Sequence, residues 1–324
     1  MDAVYIKDLE GPSTVAVAEA EPPVRSADQV LIDVRAAGVS FPDVLQTRGL
    51  YQVKPELPFV PGAEVAGIVA EAPAGAHVRA GDRVAALPFL GGFAEQAVCA
   101  ADAVFPIPDS LTFEQAAAIP FNYLTAHFAL CRRGRLAEGE TVLVHGAAGG
   151  VGTAVIQVAK AFGAGRVIGV VSTPEKGAVA VEAGADEYVL ADGFKDAVKA
   201  ATGGRGVDVI ADVVGGDRFT DSLRCLAPDG RILVIGFTAG SIPEVKVNRL
   251  LLNNLDVVGV GWGAYAMGRP GYLLGQWEEL LPKLAEGAIV PPVSGSYPLA
   301  DVRDALSAID NRTAVGKLVL RVGE

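Results

Sequence analysis

The stretch TVLVHGAAGGVG, residues 141–152, carries residue types that can hold an anion with backbone alone. Gly146, Gly149, Gly150 and Gly152 let the chain bend sharply and let N–H groups approach something bulky. A helix starting there adds the partial positive charge of its N-terminus. A pyrophosphate is the guest such a turn suits. The spacing departs from G-x-G-x-x-G at its first position, where Ala147 stands, with Gly149 and Gly152 in register. Ala148, Gly149, Gly150 and Val151 are the candidate pyrophosphate contacts. A purely structural turn is the competing reading; a strand before and a helix after favour dinucleotide binding.

An NAD site carries an Asp or Glu about 20 residues past the glycines, on the ribose 2′-hydroxyl. That count reaches Ser172, followed by Thr173 and, one helical turn on, Lys176. Two hydroxyls and a cation with no carboxylate suit the extra 2′-phosphate of NADPH. The same residues also serve a plain helix start, with Ser172 a cap and Lys176 solvated, and the two roles are compatible. Tyr188, on the next strand, reads either as a hydroxyl beside that phosphate or as an ordinary strand aromatic.

Such a turn needs a strand and a helix to place it. Residues 141–144 read as a strand, and Val151, Ala154, Val155, Val158, Ala159 and Phe162 recur at helical spacing. Strands are expected at 167–171, 187–190, 207–211, 232–235 and 255–260. Helices are expected from Thr173-Pro174 to Gly184, at 194–201 and at 217–226. Apolar strands alternating with helices predict an α/β, doubly wound parallel sheet. Before it, residues 1 to about 120 read as mostly β and barrel-like, with strands at 4–6, 30–35, 65–69, 83–86 and 94–98. After it come helices at 271–286 and 299–310 and a strand at 317–322. That tail is expected to pack back on the first domain. The predicted domains are therefore 1–122 with 262–324, and an inserted 123–261.

Bulk composition narrows the classes. The chain of 324 residues is 51% hydrophobic and 20% charged, ordinary for a globular enzyme. Its net charge of −11 argues against nucleic acid and anionic membranes as general partners. No apolar run approaches a bilayer span, and the first residues lack the pattern of a signal peptide, so the cytoplasm is the expected compartment. Cys99, Cys131 and Cys225 are widely spaced and suit reduced thiols. His77 is expected to be solvated, His127 packed, and His145 a support for the glycine turn; none is expected to act as acid or base.

The order of these parts resembles the medium-chain dehydrogenase/reductase superfamily, in detail its zinc-independent quinone oxidoreductase branch. The resemblance runs over nearly the whole chain and rests on HGAAGGVG, Ala183-Gly184-Ala185-Asp186 and Val315-Gly316-Lys317. It rests equally on Gly38-Val39-Ser40-Phe41-Pro42-Asp43 with Arg48-Gly49-Leu50-Tyr51, and on Pro61-Gly62-Ala63-Glu64-Val65-Ala66-Gly67. It implies a Rossmann-type NADP(H) domain and a β-rich, GroES-like barrel catalytic domain. Zinc relatives keep a Cys where Ser40 stands and a His where Ala63 stands, and neither replacement is a zinc ligand, so no metal is expected. The resemblance places Thr125 near the nicotinamide and makes Asn311 a further cofactor candidate; the segment of Asn122 and Thr125 otherwise reads as an interdomain helix. Phe41 and Asn122 are candidates on the substrate side, as is Trp262, whose loop after the last strand reads either as a substrate lining or as a flexible exit. Phe237, at the end of a strand of the parallel sheet, is expected to touch the nicotinamide half. The strand at 255–260 would be an edge, and members of the superfamily commonly dimerise there, so a homodimer is expected.

Without a metal to polarise a carbonyl, the acceptor must disperse the incoming charge itself. A quinone does so by becoming aromatic, and an alkene conjugated to a carbonyl does so as an enolate. The reading is therefore NADPH-dependent two-electron reduction of a quinone or enone. Tyr51 is the candidate catalytic group. In enoyl-thioester reductases, which the chain resembles almost as well, a tyrosine at the matching position is the proposed proton donor. An aromatic wall is the other reading of Tyr51. Asp43 is expected to be structural, ion-paired with an arginine such as Arg48. Two rival functions stand beside this one: an enoyl-thioester reductase, and a dinucleotide-binding sensor or structural protein with little turnover.

Overall fold

A computed structural model describes residues 1–323. The chain forms two compact units, Met1–Phe121 together with the chain from Pro270 onward, and Asn122–Arg269.

The first unit is β-rich. Its strands before the inserted segment are β1 (Asp2–Tyr5), β2 (Ala16–Glu19), β3 (Gln29–Val39), β4 (Glu64–Glu71), β5 (Arg83–Ala86), β6 (Gln96–Ala100) and β7 (Val104–Pro106). The long β3 organises the sheet. It pairs along one side with β4, and along the other with β6 at residues 29–33. Register shifts bend it between Leu31 and Ile32 and between Val34 and Ala36. The bend needs Gly67 on β4, where a Cβ would lie 2.1 Å from the Asp33 carbonyl oxygen.

The second unit holds a six-stranded, wholly parallel sheet. Its strands are β8 (Thr141–His145), β9 (Arg166–Val171), β10 (Glu187–Leu190), β11 (Val207–Asp212), β12 (Leu226–Val234) and β13 (Asp256–Gly259), in the order β10-β9-β8-β11-β12-β13. That is the doubly wound arrangement, whose strand order reverses between β8 and β11. Leu143, Ile168, Ile210 and Ile232 are fully buried in its core, as apolar strands covered on both faces require. The helix expected at 217–226 is shorter, Phe219–Leu223. The reason is that Cys225 O and Leu226 are already drawn onto β11 at Val207.

The tail supplies β14 (Val293–Pro298) and β15 (Lys317–Arg321) to the first unit, where β15 pairs antiparallel with β3 at residues 36–39. The short helix Trp262–Ala266 stays with the second unit, where Tyr265 packs on Phe128 with ring centroids 5.1 Å apart. Among the described residues, no helix is long and apolar enough to cross a membrane.

Candidate active site

In the second unit, the glycine turn leaves β8 and enters the helix Gly150–Ala161, with Gly149 at its N-cap. The turn is closed so tightly that a Cβ on Gly152 would lie 2.1 Å from the Gly146 carbonyl oxygen. Ala148 is buried, while Gly149, Gly150 and Val151 keep partial exposure. First-turn N–H groups of a helix lack intrahelical acceptors, so this edge is a cradle for an anion.

The neighbouring strand β9 ends at Val171, and Ser172 beyond it is exposed. Thr173, not Ser172, caps the helix Pro174–Glu182, its hydroxyl accepting from the Lys176 N–H at 3.4 Å. Tyr188, on β10 beside β9, presses its ring on the same helical turn. A Cβ on Gly177 would lie 2.5 Å from its Cε2. Thr173, Lys176 and Tyr188 therefore border one helical turn, although Tyr188 pairs with Gly169 and not with the end of β9 where Ser172 follows. Sequence reasoning missed Gly177; a glycine inside a helix, where it costs stability, was the available signal. Phe237, past the end of β12, is exposed. Asn122 and Thr125 lie on the helix Pro120–His127 and are buried, as is Trp262, so none of these three offers an open surface.

In the first unit, the helix Phe41–Gln46 starts at Ser40, whose N–H donates to Asp43 Oδ2 at 2.7 Å. Asp43 is fully buried, and among the described residues its Oδ1 has no hydrogen-bond partner, nor has Oε1 of Gln46 one turn later. Burial pushes the Asp43 carboxyl up to about 7, against the opposing pull of the Ser40 N–H and the Lys317 charge. Its expected pairing with Arg48 does not form. Arg48 reaches Asp310 instead, at 2.5 Å, because Asp43 points into the interior while Arg48 stands at the exposed end of the helix. That ion pair brings the stretch before Tyr51 near Asn311, the exposed residue after Asp310. Phe41 is partly exposed, and Tyr51 is half-buried. Burial, and then the Asp43 charge, raise the Tyr51 hydroxyl above the usual phenol value, so it keeps its proton at neutral pH.

Beside Ser40 lies an ion pair that sequence reasoning did not find. Lys317 and Glu64 are 4% and 0% exposed at their side chains and are hydrogen-bonded to each other across 253 residues. Lys317 Nζ also donates to Ser40 Oγ at 2.6 Å. Glu64 accepts from Ser40 Oγ at 3.1 Å and from the Phe121 N–H at 2.8 Å. Gly38 makes the room, since a Cβ there would lie 2.8 Å from Glu64 Cδ. A lysine opening an apolar strand and a glutamate beginning another were the signals available.

The histidines also differ in part from expectation. His77 is held at 2.8 Å from the Val104 carbonyl oxygen, despite its exposure. His127 is packed edge-on to Phe162. His145 is buried, with Nε2 at 2.9 Å from Ser222 Oγ.

Residues 26–109 match the alcohol dehydrogenase GroES-like domain, and residues 150–286 match the zinc-binding dehydrogenase family. Quinone oxidoreductase-like protein 2 of Rattus norvegicus is 38% identical over 98% of this chain and 91% of its own length. The chain belongs to the quinone oxidoreductases of the medium-chain dehydrogenase/reductase superfamily. Among solved structures, a probable oxidoreductase from Mycobacterium abscessus is 43% identical, with a TM-score of 0.91 over 99% of this chain and 98% of that one. The Escherichia coli quinone oxidoreductase complexed with NADPH is 31% identical, with a TM-score of 0.89 over 99% and 100%. Within this superfamily the two positions that hold zinc ligands in its zinc enzymes carry Ser40 and Ala63 here. The Ser40 hydroxyl is already engaged by the Lys317 ammonium. An alcohol, a methyl group and the Glu64 carboxylate, itself held by the Lys317 ammonium, do not make a donor set for Zn²⁺.

Proposed function

We propose that the protein is a zinc-independent, NADPH-dependent reductase of quinones or of alkenes conjugated to a carbonyl. The observation that carries this reading is the Lys317 ammonium held on Ser40, the residue that stands where the resemblance puts a zinc ligand. Bound NADPH supplies a hydride to the acceptor. The glycine turn cradles the pyrophosphate with N–H groups of Ala148 to Val151, of which Gly149, Gly150 and Val151 are partly exposed. Thr173, Lys176 and Tyr188, with Ser172, form the seat for the 2′-phosphate, where a carboxylate would repel. Phe237, exposed past the end of β12, is the remaining cofactor contact, and Phe41 lies on the acceptor side; Asn122, Thr125 and Trp262 are buried and take no direct contact in this reading. Tyr51 keeps its hydroxyl proton at neutral pH and can donate a hydrogen bond to the oxygen on which charge develops.

The protein acts in the cytoplasm as a homodimer paired along β13. Among the described residues that strand ends the sheet, beside β12, and Val257 on it is exposed. The decisive experiment is NADPH oxidation against a panel of ortho- and para-quinones, alkenals and enoyl-CoA esters, with NADH beside it. Turnover of quinones or enones with preference for NADPH is expected. Preference for enoyl-CoA esters would reassign the acceptor, and no turnover of any of them would leave a binding protein.

A further inference from the structure

A buried polar clamp sits at the point where the parallel sheet reverses its strand order. His145 ends β8 and Asp212 ends β11, and the pairing of Ala211 with Val144 puts the two side by side. Asp212 Oδ1 accepts from the N–H groups of Val214 and Gly215, at 2.8 and 2.9 Å. The loop these residues begin ends at the helix Phe219–Leu223, and there Ser222 Oγ meets His145 Nε2 at 2.9 Å. The Ser222 hydroxyl has one proton, which goes to the Arg218 carbonyl oxygen at 3.1 Å. Donation of that proton to Arg218 goes with the His145 tautomer that carries its hydrogen on Nε2. Burial holds His145 below the usual imidazole value, with the Asp212 charge opposing and the Arg218 charge assisting. The ring is fixed further by an edge contact with Phe194 at 5.0 Å.

The clamped loop touches both halves of the candidate dinucleotide site. On one side Val213 packs so closely on the glycine turn that a Cβ on Gly146 would lie 2.9 Å from its Cγ2. On the other, Val213 O and Val214 O accept from Thr238 and Ala239 N–H, at 3.1 and 2.9 Å. A Cβ on Gly215 would lie 2.8 Å from Phe237 Cδ1. The loop is tied at its start by Asp212 and at its end by Ser222.

We propose that His145 and Ser222 are positioning residues that, with Asp212, hold residues 213–216 where they set Phe237 for the nicotinamide half of NADPH. This rests on the reading of Phe237 as a nicotinamide contact. His145 would not touch cofactor or acceptor; it acts through the loop.

The test compares two ligands of one site by calorimetry on the whole chain: NADPH, and 2′,5′-ADP, which lacks the nicotinamide half. With Ser222→Ala, the NADPH Kd is expected to rise about tenfold, as the loss of one buried hydrogen bond transmits to that half. The 2′,5′-ADP Kd is expected to stay within about twofold. Ser222→Cys, close in volume, weakens the same bond without opening a hole and is expected to show the same selective loss in smaller measure. An equal rise for both ligands, or no rise for NADPH, would overturn the proposal. Failure of NADPH to bind the unaltered chain would overturn the functional reading instead, so the two are separable.

Discussion

Removing the Lys317 ammonium with Lys317→Met should strand a fully buried carboxylate. Glu64 would keep two donors, Ser40 Oγ at 3.1 Å and the Phe121 N–H at 2.8 Å, but lose the Lys317 cation. Breaking a buried pair from one side typically costs about 3–5 kcal/mol. The two surviving donors lower the figure, so about 3 kcal/mol is expected at pH 7. The assay is urea denaturation followed by far-ultraviolet circular dichroism at pH 7. The paired variant Lys317→Met with Glu64→Gln keeps an acceptor for Phe121 and a donor for Ser40 but removes the charge. It should recover to within about 1 kcal/mol of the parent chain. A loss below about 1 kcal/mol at pH 7, or one that the paired variant does not restore, would refute the claim that Lys317 neutralises a buried charge.

Three further outcomes are expected. The Asp43 carboxyl lies at about 7 in the folded chain against 3.8 for the free group. The folded state therefore holds an extra proton between these values, and the stability this group contributes is lost as pH rises through 7. Asp43→Asn should gain stability relative to the parent between pH 4.5 and pH 8 in the same denaturation assay; a constant difference counts against the raised value. Gly177→Ala should gain helix propensity, about 1 kcal/mol, yet push the Tyr188 ring off the turn that carries Lys176. Melting temperature should hold or rise while the preference for NADPH over NADH falls in steady-state kinetics, and an unchanged preference would remove Tyr188 from the phosphate seat. Tyr51→Phe should lower kcat for conjugated enones on the order of 100-fold, with quinones changed by less than about tenfold. Equal effects on both acceptors would make Tyr51 a wall of the site.

How much of the molecule was legible depended on how far apart the deciding residues lie. The strand Glu187–Leu190 and the helix Phe194–Ala201 form with the bounds read from their pattern. The N-cap Thr173 with Pro174 was readable because a cap and its helix are neighbours. Asp43 was misread for the opposite reason. Arg48 is near in sequence, but the helix Phe41–Gln46 aims the carboxyl inward and leaves the guanidinium to Asp310.

The sequence by itself determined the glycine turn, its strand and helix, the alternating order of the parallel sheet, and the absence of zinc-ligand types at residues 40 and 63. These are carried by local spacing and residue chemistry, which act over a few residues whatever the rest of the chain does. Only the tertiary structure decided that Lys317 would meet Glu64 and Ser40, that Tyr188 would lie on Gly177, and that His145 would find Ser222. Those contacts require β15 to lie beside β3, β10 beside β9, and β8 beside β11. A buried charge or polar group takes whatever partner the sheet order delivers, and that order is set by the packing of the whole core.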